Sequence, residues 1–179
     1  MQDFNFQADS SERVGILAPS GFGKTTLCQL LAGYLKADSG EILLDGKPLP
    51  TKGYCPVQMI WQHPERVVNP RLRMKEVLAE GQDIPEHIIT GLGIETDWLN
   101  RFPGEISGGE MQRFCIARAL GRDTKFILAD EISTMLDLIT QSQIWNFLLS
   151  EVKERGIGLI AVTHSQPLMD LVATRTVEL

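Results

Sequence analysis

The stretch Ala18-Pro19-Ser20-Gly21-Phe22-Gly23-Lys24-Thr25-Thr26 constrains this chain more than any other. Ahead of it Val14-Gly15-Ile16-Leu17 is a short apolar run that reads as a buried strand. Behind it Leu27-Cys28-Gln29-Leu30-Leu31-Ala32 carries apolar residues at helical spacing. A strand, a tight loop and a helix in that order is the setting a phosphate-binding loop requires. Gly21 and Gly23 let the backbone bend sharply and approach a ligand closely. The amides that open the helix lack intrahelical partners and aim, with the helix dipole, at an anion. Lys24 is then placed to bridge β- and γ-phosphates, and the Thr25 hydroxyl to bind Mg²⁺. The pattern G-x-x-x-x-G-K-[ST] has one departure here, since Ala18 stands at its first glycine. A methyl group is tolerated there if φ stays negative.

The rest of the chain is consistent with one domain spanning residues 1–179, long enough to bury a core. A net charge of −6 argues against a nucleic-acid or anionic-membrane binder. No apolar run approaches the roughly 20 residues of a membrane span, and no signal peptide opens the chain. The reading is therefore a cytoplasmic protein whose membrane role, if it has one, comes through a partner. Cys28, Cys55 and Cys115 are odd in number and scattered, which fits reduced thiols within helices and strands rather than disulfides or a zinc site.

Along the chain, Phe4, Phe6 and Ala8 alternate with polar residues and predict a first strand. Glu41-Ile42-Leu43-Leu44 is another, closed by the turn Asp45-Gly46. Val57-Gln58-Met59-Ile60-Trp61 predicts a strand that ends at Gln62-His63-Pro64. Prolines 64, 70, 85 and 103 then punctuate short helical pieces, such as Lys75–Glu80 and Glu86–Leu92. These predict a small helical subdomain, about residues 65–120, inserted into an α/β body. Its last helix is predicted over Ser107–Gly121, with Met111, Phe114, Cys115 and Ala119 on one face. Phe126-Ile127-Leu128-Ala129 is an apolar strand, a long amphipathic helix carries Ile144, Trp145, Leu148 and Val152, and Gly158–Thr163 is the next strand. Strand alternating with helix predicts an α/β fold with a mainly parallel sheet, short N-terminal antiparallel strands aside.

Two further stretches carry chemistry. Asp130-Glu131 closes an apolar strand, where a parallel sheet offers side chains to a ligand. Asp130 is suited to hold Mg²⁺, directly or through a water, and Glu131 to polarise an attacking water. Ser107-Gly108-Gly109-Glu110-Met111-Gln112-Arg113 begins a helix with a hydroxyl and free amides, a second anion site. Ser107 and Glu110 also match the capping box S-x-x-E, which needs no ligand. A cap alone does not explain Gly108-Gly109, which weaken the helix where they stand unless another body approaches the backbone.

In this order, the phosphate loop, Gln62, Ser107-Gly108-Gly109-x-x-Gln112-Arg113, Asp130-Glu131, Ser133-Thr134-Met135-Leu136-Asp137 and His164 resemble the ATP-binding-cassette (ABC) ATPases, a P-loop NTPase family. The resemblance covers nearly the whole chain. It implies an ATP- and Mg²⁺-dependent ATPase acting as a head-to-tail dimer with a second cassette, identical or not, with two ATP molecules sandwiched between subunits. Each nucleotide would meet residues 18–26 of one chain and Ser107, Gly108, Gly109 and Glu110 of the other. By the same resemblance Gln62 senses Mg²⁺ and the water and couples the site to a membrane permease. Lys24 acts at the phosphates, Glu131 is the general base, His164 the γ-phosphate contact, and Asp137 part of a loop crossing the dimer interface. Taken singly, Gln62 reads more readily as a loop amide, His164 as a strand-end cap and Asp137 as a helix N-cap.

Val57–Pro64, Asn69-Pro70-Arg71 and Arg101–Ser107 further resemble the peptide and nickel importer branch. That branch implies uptake of peptides, nickel or metal chelates, with the chain on the inner face of the cell membrane through its permease. A phosphonate-utilisation ATPase has similar motifs, and a non-transport ABC ATPase is the other alternative. The sequence departs from the family at Glu110, where glutamine is usual, and at Ile132, where proline is usual. Only 23 residues precede Lys24, and the upstream aromatic that commonly stacks on adenine has no counterpart; the cysteine-bearing tail of the peptide branch has none either. The upstream rings Phe4 and Phe6 share one predicted strand face and are expected in the core. Phosphate contacts are the same for any nucleoside triphosphate, so this chain is expected to bind ATP weakly and to prefer it to GTP by no more than about tenfold. Calorimetric titration with both nucleotides measures that ratio, and a larger preference lost in Phe4→Ala or Phe6→Ala would assign base stacking to one of these rings.

Overall fold

The computed structural model describes residues 4–19, 21–134 and 136–178, so Ser20 of the loop and Met135 lie outside the described residues. Each apolar run that the sequence marks as a buried strand becomes one: β1 (Arg13–Leu17), β4 (Val57–Ile60), β5 (Phe126–Asp130) and β6 (Gly158–Val162). A seventh strand, β7 (Arg175–Glu178), completes the sheet. The order is β4-β5-β6-β1-β7, and every neighbouring pair is parallel. β7 has no apolar signature because it is an edge strand with one half-buried residue, Val177. Parallel pairing demands crossovers, and helices supply them on both faces.

Side chains alternate across the strands and feed two cores. On one face Val14, Ile16, Val57, Met59, Leu128, Ile160 and Val162 pack beneath α1 (Lys24–Leu31), which contributes Leu27 and Cys28. On the other, Ile60, Ile127, Ala129, Leu159 and Ala161 pack against α4 (Gly108–Ala119), α5 (Leu138–Arg155) and α6 (Gln166–Val172). Gly15 lies under α6, where an added Cβ would fall 2.0 Å from Met169 Sδ. The short helices α2 (Met74–Ala79) and α3 (Glu86–Gly91) add Met74, Val77, Leu78 and Ile88 to the same core. Pro64 and Pro103 each open a single 3-10 turn, and Pro85 caps α3. A proline suits the first turn of a helix because its missing N–H is not needed there.

The antiparallel part of the fold is smaller than the alternation predicts. Residues 4–8 keep the pattern, with Phe4, Phe6 and Ala8 half-buried and Asn5 and Gln7 exposed, yet they join no ladder. Their two rings stack on each other with centroids 6.1 Å apart and lie against the α1-side core. Alternation records one buried face, whereas a ladder also needs a neighbour in register, and here Gln7 O instead accepts from the Arg175 guanidinium. The antiparallel pair is β2 (Leu43–Leu44) with β3 (Lys47–Pro48), closed by the expected Asp45-Gly46 turn with φ of 53° and 73°. Positive φ at both central residues is the type I′ geometry that matches strand twist.

Cys28 and Cys115 are buried and Cys55 is half-buried, all three unpaired. Burial pushes the Cys115 thiol up to about 11 and the Cys28 thiol higher still. At pH 8 a thiol titrating near 11 is thiolate in roughly one molecule in a thousand. Iodoacetamide is therefore expected to alkylate Cys55 in the folded chain and to spare Cys28 and Cys115 until denaturant is added. Mass spectrometry of tryptic peptides reads the order, and equal labelling of all three would contradict it.

Candidate nucleotide site

Parallel pairing lines up the carboxyl ends of four adjacent strands. Ile60, Ala129, Ala161 and Gly15 form one row across β4, β5, β6 and β1. Two residues further on, that row becomes Gln62, Glu131, Thr163 and Leu17, followed at once by His164 and by the loop Ala18–Thr26. This is the edge at which open parallel sheets bind ligands.

The loop has the conformation its glycines allow. Gly21 and Gly23 have φ of 84° and 83°, and Gly23 caps α1 in the left-handed region. Lys24 begins α1 and turns back over the loop, donating from Nζ to Ala18 O at 2.8 Å and Pro19 O at 3.1 Å. It is 7% exposed, and among the described residues no carboxylate pairs with it. A buried ammonium whose hydrogen bonds go only to carbonyls, with the Asp130 carboxylate its nearby counter-charge, leaves its direct contacts open to an anionic ligand. Gly21, Phe22, Thr25 and Thr26 are exposed, so the loop is open on its outer side.

Thr25 Oγ1 donates to Asp130 Oδ2 at 2.7 Å, a link from the start of α1 to the end of β5. Asp130 is 3% exposed, and burial pushes its carboxyl above the ordinary range. The Thr25 hydroxyl and the Lys24 charge draw it down, while the neighbouring Glu131 adds to the rise. A hydroxyl, a carboxylate and the nearby Gln62 amide are hard oxygen donors that fit Mg²⁺, which keeps water and phosphate oxygens as its remaining ligands. No cluster of three His, Cys, Asp or Glu occurs among the described residues.

Glu131 gathers the other two strand ends. Gln62 Nε2 donates to Glu131 Oε2 at 3.3 Å, and His164 Nδ1 lies 3.2 Å from the same oxygen. The Glu131 backbone is left-handed, φ 49°, rare for a residue with a side chain. Its N–H donates to Val162 O at 2.9 Å, and its carbonyl accepts from Thr134 Oγ1 at 3.1 Å. Behind this turn the buried Ser133 Oγ accepts from Trp145 Nε1 of α5 at 3.0 Å. Strain of this kind persists where surrounding structure fixes it, and it concentrates at functional sites.

Other expected residues do not join this cluster. Ser107 and Glu110 form the capping box: Ser107 Oγ accepts from Glu110 N at 3.2 Å, and Glu110 Oε2 accepts from Ser107 N at 2.7 Å. Among the described residues no hydrogen bond links Ser107–Glu110 to the phosphate loop. Gly109 has a reason within the chain, since an added Cβ would come 3.3 Å from Leu136 Cδ2. Gly108 has none; a Cβ there meets open space. Asp137 is the N-cap of α5, accepting from Ile139 N and Thr140 N at 3.0 Å each. Sequence reasoning assigned no site role to Thr163, whose Oγ1 accepts from Ser165 N at 3.1 Å and shapes the turn at His164, and the Gln112 of the helix-start stretch donates to Trp61 O. Thr163 is preceded by a wholly apolar strand and followed by the histidine, which was its available signal.

Comparison with known proteins places this arrangement in context. A family model described as ABC transporter matches residues 1–134. The oligopeptide transport ATP-binding protein OppF of Haemophilus influenzae is 33% identical over 195 residues, covering 98% of this chain and 59% of the relative. The probable D,D-dipeptide transport ATP-binding protein DdpF of Escherichia coli is 31% identical over 173 residues, covering 90% and 54%. The chain thus spans somewhat over half the length of such relatives. Among solved structures, the dimeric cassette MJ0796 in a post-hydrolysis state with ADP and Pi matches with a TM-score of 0.81 at 25% identity, covering 98% of this chain and 84% of that one. CbiO1 of Clostridium perfringens, part of the complex cbiONQ, matches with 0.77 at 26% identity, covering 98% and 76%.

The buried Asp130 charge has a consequence for stability. A carboxyl whose pKa is raised by folding holds its proton more tightly folded than unfolded, so its contribution turns unfavourable as pH rises past the unfolded value. Asp130→Asn keeps an acceptor for Thr25 and removes the charge. It is expected to raise the thermal midpoint of the nucleotide-free chain at pH 7.5, with the gain shrinking as pH falls toward the range where the wild-type carboxyl is protonated. Differential scanning calorimetry across that range tests this, and a lowered midpoint at pH 7.5 would overturn it.

Proposed function

The chain belongs to the ABC transporter family, and on that footing we propose that it binds and hydrolyses ATP to power a membrane importer, with peptides as the cargo class. The observation that carries this reading is the single carboxylate oxygen of Glu131 approached by Gln62 and His164 beside the Thr25–Asp130 link. The named function of the relatives, transport of oligopeptides and D,D-dipeptides, supports peptides over nickel or metal chelates.

In this reading the triphosphate lies on the loop amides and gives Lys24 an anion in direct contact, in place of the carbonyls. Thr25, Asp130 and Gln62 would hold Mg²⁺, which would supply positive charge to offset that of the phosphates. Glu131 takes the proton of the attacking water, Gln62 orients that water through its amide, and His164 contacts the γ-phosphate. The outer side of the loop is exposed, and Ser107 and Gly108 stand exposed at the start of α4. Two chains packed head to tail would close each nucleotide between one loop and the partner's Ser107–Gly109, with Asp137 near the seam. The dimeric state of MJ0796 supports that closure. The helical segment, about residues 65–120, then acts as a unit that carries Ser107 to the partner's nucleotide. Attachment to the inner face of the membrane runs, in this reading, through permease subunits, which the transport role named for the relatives supports. No helix among the described residues is long and apolar enough to cross a membrane.

Steady-state hydrolysis over a dilution series tests the whole reading. Rate per subunit is expected to rise with protein concentration until dimers saturate, and Glu131→Gln to lower it by roughly 10² to 10⁴ while ATP still binds. Near wild-type turnover in Glu131→Gln, or a concentration-independent rate from a monomer, would sink it.

A further inference from the structure

Gln112 is 2% exposed, on the face of α4 that also carries Met111 and Cys115 into the core. A leucine would fill that space, and an amide belongs there only if its hydrogen bond does something. Its Nε2 donates to Trp61 O at 3.3 Å. The β4 ladder ends at Ile60, one residue earlier, and the side chain that follows Trp61 is Gln62, whose amide reaches Glu131. The Trp61 ring is meanwhile held edge-on by Tyr34, centroids 5.3 Å apart. Trp61 is thus fixed by its carbonyl from α4 and by its ring from the residues after α1.

We propose that Gln112 is a positioning residue: by holding the Trp61 carbonyl it sets where Gln62 presents its amide to Glu131, and it ties that placement to helix α4. Ser107 begins the same helix five residues earlier, about 7 Å along the axis. A rigid helix of twelve residues therefore joins the surface offered to a second subunit to the group that orients the attacking water. A shift at one end moves the other, so contact at Ser107–Gly109 bears on Gln62 without touching it. The inference rests on the reading of Glu131 as the base.

The test uses Gln112→Leu, which removes the donor and keeps the volume, with Gln112→Met as a second variant where the first does not fold. kcat for ATP hydrolysis is expected to fall about tenfold with KM little changed, the loss of one hydrogen bond acting on the transition state. Gln62→Ala is expected to lower kcat as well, and the double variant to be no slower than the slower single, because both act through one group. Multiplicative losses, or an unchanged kcat in Gln112→Leu, would overturn the proposal. Hydrogen exchange on the nucleotide-free chain gives a readout free of activity. Amides of residues 61–63 are expected to exchange faster in Gln112→Leu while those of α5 keep their wild-type rates. Unchanged exchange at 61–63, or acceleration throughout the chain, would reduce Gln112 to a packing residue. A wild-type chain that shows no turnover defeats the proposed function instead, and the exchange result then decides Gln112 by itself.

Discussion

The row Ile60, Ala129, Ala161 and Gly15 runs straight across four parallel strands, and the candidate site exists because those strands stop together. In a parallel sheet every strand exits at the same edge, so residues 62, 131, 164 and the described loop residues 18, 19 and 21–26 meet although up to about 150 positions separate them. The covering helices hold that edge in place. Gly15 under Met169 shows how close the cover is, since an added Cβ would displace the Met169 thioether and press on Ala173 Cβ. The Thr25–Asp130 bond then fastens the phosphate loop to the strand that bears the acids.

Charge is buried at this edge of the sheet. Lys24 is buried on carbonyls, and Asp130 is buried beside Glu131 with a hydroxyl as its hydrogen-bond donor. Neither group is in its best electrostatic setting, and Glu131 occupies a left-handed conformation as well. Each of these costs stability, and together they mark out the region where the chain departs from what packing alone favours.

Helix α4 begins on a cap that is complete within one chain. Ser107 and Glu110 complete a capping box, so α4 is well begun with no second molecule present. The cap leaves Gly108 facing open space, and the departure at Glu110 is absorbed by its bond to Ser107 N. Gly109 packs close to Leu136, in the segment between Glu131 and Asp137. The start of α4 is thereby set against the turn that carries the acids, within one chain.

Local stereochemistry made much of this protein legible in its sequence. The glycines flanking Phe22, the apolar runs ending in Asp130-Glu131 and Thr163-His164, the Asp45-Gly46 turn and the cap at Asp137 are each encoded by neighbouring residues, because torsion preference and periodicity act over a few positions. That sufficed for the parallel fold and for the helices from α1 to α5. It did not suffice for partnership. Alternation at residues 4–8 predicted a strand, but a ladder needs a second chain segment in register, and Phe4 and Phe6 pack without one. β7 carried no signal because an edge strand buries little. That one Glu131 oxygen faces both Gln62 and His164, that Thr25 is bonded to Asp130, and that Gln112 holds Trp61 were decided only in three dimensions. Strand order and helix packing set those distances, and both are properties of the whole chain folding around two cores.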